Sequence, residues 1–160
     1  DVSVLWDWGS HDISIMLELL DSIPESVSGY KTNSFIRYTF HYPNKLNVSI
    51  TNSNVSTTKK RNITVYENTR IIDFSEFPKN QFNIYQTRNR THNKLLDSVL
   101  SNAYTGYAQK PLYRSIQHFL DGISVKYSKD VFDLDKACSV IKLLEFADKA
   151  IKSNKQMAIS

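Results

Sequence analysis

The chain has 160 residues, 41% hydrophobic and 22% charged, with a net charge of +4. That length suits one core of ordinary size, and no apolar run approaches the roughly 20 residues of a membrane-crossing helix. Cys138 is the only cysteine, which excludes an internal disulfide and any multi-cysteine metal centre. No charged-then-apolar leader opens the sequence, so a cytoplasmic location is the default expectation. The absence of an initiating Met suggests a piece of a longer protein.

The first pattern predicts a strand, Val2 to Trp6, turning sharply into a helix. Asp7 and His11 are four apart, so one helical face would carry both, with Cβ atoms about 5–6 Å apart. A carboxylate there can orient an imidazole and stabilise its protonated form. In the helix's first turn, the backbone dipole acts the other way and disfavours an imidazolium. These opposed influences suit a group that both accepts and releases a proton. Gly9, between the two, is expected to let a ligand approach the backbone. The same spacing also fits a capping Asp7 and a surface His11. Ile13, Met16, Leu17 and Leu20 follow at the spacing of one buried helix face.

Asp21 to Ser26, with Pro24, ends the helix. Val27 to Lys31 is a short candidate strand. Phe35 to Tyr42 alternates, with Ile36, Tyr38, Phe40 and Tyr42 on one side and Arg37, Thr39 and His41 on the other. Pro43-Asn44-Lys45 is a turn. Leu46, Val48 and Ile50 then alternate with Asn47, Ser49 and Thr51, which predicts an antiparallel hairpin. Further strands are expected at Arg61 to Tyr66, at Thr69 to Phe74 and around Phe82, Ile84 and Tyr85. A short helix is possible around Lys94 to Leu100. Pro111 should start a helix burying Leu112, Ile116, Phe119, Leu120 and Ile123. Asp133 or Asp135 should cap a last helix with the stripe Ala137, Val140, Ile141, Leu144, Ala147 and Ile151. Cys138 then reads as a small buried apolar residue.

Helix, many strands, then helices predicts an α+β fold: an open, mostly antiparallel sheet of about five or six strands with helices on one face. One domain is expected over residues 1–160. The Tyr and Thr residues on the other sheet face tolerate both water and a partner.

Several chemistries are absent. The four glycines, Gly9, Gly29, Gly106 and Gly122, form no Gly-x-Gly-x-x-Gly turn, and no phosphate-cradling Gly-Lys-Ser/Thr loop occurs. His11, His41, His92 and His118 are too dispersed to suggest a metal site. No Gly-x-Ser-x-Gly supports a serine triad. The basic groups Lys59-Lys60-Arg61 and Arg88, Arg90, Lys94 are scattered, with Asp and Glu between them, and no recognition module is visible, which argues against nucleic-acid binding. Lys60 or Arg61 could instead meet an anionic substrate.

The segment Val4-Leu5-Trp6-Asp7-Trp8-Gly9-Ser10-His11-Asp12, with the apolar helix behind it, resembles the second domain of the glucose–fructose oxidoreductase / inositol dehydrogenase / MocA family. That family carries Asp-x-Gly-x-His at the end of a strand, before an amphipathic helix. Lys110-Pro111-Leu112, Phe119-Leu120-Asp121-Gly122-Ile123 and Ala137 to Glu145 look like the family's closing helices. Asp1-Val2-Ser3 stands where the family usually has small residues, and Arg114 or Ser115 where it often has an acid. The resemblance implies catalytic roles for His11 and Asp7, and substrate contacts for Trp8 and Arg61. It implies NAD or NADP as cofactor, held by a separate N-terminal Rossmann domain that also donates a catalytic lysine and is not in this chain. The 160 residues would therefore be an incomplete dehydrogenase, acting on a sugar, nucleotide-sugar or polyol. It further implies a homo-oligomer formed through the sheet, with no nucleic-acid or membrane partner and no metal. The alternative is a non-catalytic interaction or scaffold domain of the same fold.

Overall fold

A computed structural model of the chain describes residues 3–57, 60, 62–67, 70–75, 81–86, 113, 116, 117, 120 and 134–159. Helix α1 (Val4–Leu20) starts earlier than the sequence pattern predicts. Ser3 is its N-cap, with its hydroxyl accepting from the Leu5 amide at 3.2 Å and its carbonyl from Trp6 and Asp7. Val4, Leu5 and Trp6 are therefore helical, and the strand expected there does not form. The hydroxyl cap satisfies a backbone N–H that a helix start leaves unpaired. Leu5, Gly9, Ile13, Met16 and Leu17 form the buried stripe. Asp21 ends the helix in the left-handed region (φ 45°), its N–H donating to the Leu17 carbonyl at 2.9 Å.

Six strands follow: β1 (Ser26–Lys31), β2 (Ile36–His41), β3 (Asn47–Asn52), β4 (Asn62–Tyr66), β5 (Arg70–Ser75) and β6 (Gln81–Gln86). Helix α2 (Leu134–Ser153) and a two-residue strand, β7 (Met157–Ala158), follow them. Among the described residues every strand pairing is antiparallel. The class is α+β, as expected, with the strands in two sheets ordered β3-β2-β1-β7 and β4-β5-β6. The chain divides into two units, residues 1–56 with 127–160, and residues 57–126. No helix among the described residues is long and apolar enough to cross a membrane.

In the first unit, the predicted hairpin forms, with Tyr38 opposite Ile50 and His41 opposite Asn47. The turn Pro43–Lys45 joins the strands, and Asn44 adopts φ 60°, a conformation that asparagine tolerates well. Period-2 alternation sends Val27, Ile36, Tyr38, Phe40 and Ile50 to one face. Both helices cover that face: α1 lies against α2 and β3, and α2 against β1 and β7. Leu143, Leu144, Ala147 and Ala150 are the α2 contribution to the core. Each of the two leucines contributes about 1.5–3 kcal/mol of burial free energy.

Of the expected α2 stripe, Leu144 and Ala147 are buried and Val140 and Ile151 pack against the core, but the stripe is wider on one side and narrower on the other. Ala137 and Ile141 are exposed, while Leu143 and Ala150 are buried. Cys138 is exposed rather than packed. Asp135 lies within the first turn, and Asp133 lies outside the described residues.

The second unit carries a three-stranded meander. Thr64 donates to the Asp73 carboxylate at 2.6 Å across β4 and β5. Arg70 donates to both Glu67 carboxylate oxygens at the connecting turn. Ile116 and Leu120, expected on a buried face, are about half exposed, at 51% and 50%. The helix expected at Lys94 to Leu100, and Leu112, Phe119 and Ile123, lie outside the described residues.

Candidate functional site on the outer face of α1

Asp7 and His11 both lie on α1, one turn apart, and both are exposed. No hydrogen bond or ion pair joins them among the described residues. Because α1 begins at Val4, His11 lies beyond the first turn, where the influence of the helix terminus has faded. Trp8, beside them, is 41% exposed. Arg61, expected at the substrate wall, lies outside the described residues, as do His92 and His118. Lys60 is exposed.

Gly9 has a different role from the one expected. It is on the buried side of α1, and a Cβ there would meet the Tyr38 hydroxyl oxygen at 2.8 Å and Leu144 Cδ2 at 3.2 Å. The glycine lets the helix backbone settle on the sheet, rather than opening it to a ligand.

Next to His11, Asp12 is half-buried and accepts a hydrogen bond from Asn52 Nδ2 at 2.7 Å. Asn52 Oδ1 in turn accepts from the Tyr38 hydroxyl at 3.1 Å. Asn52 is the one buried polar residue of this core among the described residues, and both ends of its amide are satisfied. Burial, and secondarily the charge of Asp12, hold the Tyr38 phenol well above its usual range. The relay ties the Asp7–Asp12 segment to β2 and β3 and fixes which side of α1 faces outward. The sequence pattern places Tyr38 on the core side but does not link it to Asn52 and Asp12. The available signal was the parity of β3, where Asn52 occupies the same core-facing register as Val48 and Ile50.

The opposite sheet face carries a second polar array. Ser28 Oγ lies 2.9 Å from His41 Nε2, and His41 Nδ1 lies 2.8 Å from Asn47 Oδ1. Asn47 Nδ2 donates to the Lys45 carbonyl, which turns Oδ1 toward the ring. His41 Nδ1 is therefore the donor to Asn47 Oδ1. Thr39 and Ser49 bond through their hydroxyls at 2.9 Å on the same face. No group of three or more His, Cys, Asp or Glu side chains able to hold a metal occurs among the described residues.

No protein-family model and no curated protein sequence matches the chain. Solved structures do. The UDP-N-acetylglucosamine 3-dehydrogenase of Acidithiobacillus ferrooxidans superposes with a TM-score of 0.74 at 19% identity, over 96% of this chain and 48% of that one. An NAD-binding oxidoreductase from Klebsiella pneumoniae superposes with a TM-score of 0.68 at 10% identity, over 95% of this chain and 49% of that one. At these identities the similarity is one of fold. The chain spans about half the length of the structures it matches.

Proposed function

We propose that this chain is the substrate-binding and catalytic half of an NAD(P)-dependent oxidoreductase of the glucose–fructose oxidoreductase / inositol dehydrogenase / MocA type, acting on a sugar, nucleotide-sugar or polyol hydroxyl. The observation that carries this reading is the Asp7-x-Gly9-x-His11 segment. Its glycine is pressed into the core while Asp7 and His11 are presented outward on the same helix, within a fold shared with a UDP-N-acetylglucosamine 3-dehydrogenase.

The chain has no glycine-rich turn to cradle a dinucleotide, so its residues do not fit the cofactor's phosphates, and a companion Rossmann domain would hold NAD or NADP. The part assigned to this chain is proton handling. His11 would take the proton of the substrate hydroxyl, or return it in the reverse direction. Asp7, one turn earlier on the same helix, would orient the ring as substrate binds. Trp8 would form a wall for the sugar, and Arg61 would meet an anionic substituent. The open face of the four-stranded sheet would pair with a second copy.

The test is turnover in the protein carrying both domains, with NAD and NADP and a panel of sugars and nucleotide-sugars. His11→Ala is expected to lower kcat about 10²–10⁴-fold, with Tm unchanged because the side chain is exposed. Turnover within a few-fold of the parent would remove His11 from the mechanism. No turnover of any substrate by the parent protein would favour the scaffold reading instead.

A further inference from the structure

The Tyr38 hydroxyl meets α1 at two points. Directly, its oxygen lies where a Cβ at Gly9 would come within 2.8 Å. Indirectly, it donates to Asn52 Oδ1 at 3.1 Å, and Asn52 Nδ2 donates to Asp12 Oδ2 at 2.7 Å. Gly9 and Asp12 are three apart on α1, so both lie on its inner side, one turn from each other. His11 falls between them in the chain and is exposed on the outer side.

Stability alone does not call for this arrangement. Asn52 shares the core-facing parity of Val48 and Ile50, and its amide is tolerated there because both ends are bonded. Apolar groups at all three positions would serve the core about as well, since a buried hydrogen bond contributes only about 0.5–1.5 kcal/mol net. Apolar groups do not supply direction. A hydrogen bond weakens steeply as its angle or length departs from the optimum, so a fully bonded network specifies one placement of the elements it joins. The element placed here is the turn of α1 that carries Asp7 and His11. The same bond holds the Asp12 carboxylate inward, while Asp7 stays exposed on the outer side of that turn.

We propose that Asn52 is a positioning residue for His11. Through Asp12 it sets the rotation and height of α1 over the sheet, and with them the point at which the imidazole meets a substrate hydroxyl. This rests on the oxidoreductase reading of His11. Asn52 itself touches neither substrate nor cofactor.

The test uses the protein carrying both domains, with Asn52→Leu, Asn52→Asp and the double variant Asp12→Asn/Asn52→Asp. Asn52→Leu removes both bonds, and Asn52→Asp sets two carboxylates against each other. In the double variant the amide stands on α1 and the carboxylate on β3, where it again accepts from α1 and from Tyr38. Both single variants should lower kcat about 10–100-fold with KM within about threefold, the scale set by a misplacement of about 1 Å. The double variant should recover kcat to within about fivefold of the parent. Urea unfolding of the same proteins separates placement from stability, because a purely structural role lowers the midpoint and leaves kcat of the folded protein unchanged. A folded Asn52→Leu protein with kcat within about twofold of the parent, or a double variant no faster than Asn52→Asp, would overturn the proposal while a loss of turnover in His11→Ala still upheld the reading of His11. Absent turnover in the parent, or turnover that survives His11→Ala, would overturn that reading and this proposal with it.

Discussion

Asn52, on the last position of β3, donates its side-chain amide to Asp12, forty residues earlier on α1, at 2.7 Å. This contact and the Tyr38 hydroxyl on the other end of the same amide connect the core to the segment that presents His11. Removing one partner leaves a buried donor or acceptor without a mate, which costs about 1–3 kcal/mol. Asp12→Ala should therefore destabilise the protein by that amount in urea unfolding. Asp12→Asn, which keeps an acceptor, should cost less. Equal stability of Asp12→Ala and the parent would mean that the bond contributes nothing net.

Gly9→Ala should be destabilising although alanine is intrinsically the better helix former by about 1 kcal/mol. The added methyl would meet the Tyr38 hydroxyl at 2.8 Å inside a packed interface, and overpacking of this kind costs about 1–3 kcal/mol. In a Tyr38→Phe background the nearest obstruction is gone, so the penalty of Gly9→Ala should shrink. A double-mutant cycle followed by thermal unfolding measures the difference.

Alkaline pH should unfold the first unit. Burial raises the Tyr38 phenol above its ordinary range and pushes Tyr42 up to about 12. Both raised values mean that the folded state keeps its phenolic protons after the unfolded chain, with an ordinary value near 10, has lost them. The stabilisation is complete below about pH 10 and declines above it, by at most about 1.4 kcal/mol per pH unit for each tyrosine. Stability measured from pH 9 to pH 12 should fall, and Tyr42→Phe should flatten the fall.

The two sides of α2 should respond oppositely to truncation. Leu144 is fully buried and Ile141, three positions before it, is 49% exposed. Leu144→Ala should cost about 2–5 kcal/mol, while Ile141→Ala should stay within about 0.5 kcal/mol. A comparable cost at Ile141 would place another surface over that side of the helix.

The hairpin was legible because Ile36, Tyr38 and Phe40 alternate with Arg37, Thr39 and His41, and period-2 patterning survives almost any context. The start of α1 was not. Val2-Ser3-Val4-Leu5-Trp6 has the β-branched and aromatic composition of a strand, yet Leu5 continues the spacing of Gly9, Ile13 and Met16 back by one turn, and Ser3 supplies the cap. Asp7 and His11 were legible as a pair because four-residue spacing holds on either reading of the helix start. The relay beneath them was not, because the partners of Asp12 come from strands far along the chain, and local patterns carry no record of such contacts. The edge of the α2 face, at Ile141 and Leu143, is not legible for a related reason. Leu143, Leu144 and Ile141 are equally apolar, and only the direction from which β1 and α1 approach decides among them.

Helix α1 and strands β1 to β3 complete their core only with Leu143, Leu144, Ala147 and Ala150, which are made after the whole of the interrupting unit from Thr57 to Lys126. On the ribosome the early segment must therefore wait, with Ile13, Val27 and Phe40 uncovered, until α2 emerges. The interrupting unit has its own meander and is free to form first, so order of folding and order of synthesis run opposite ways.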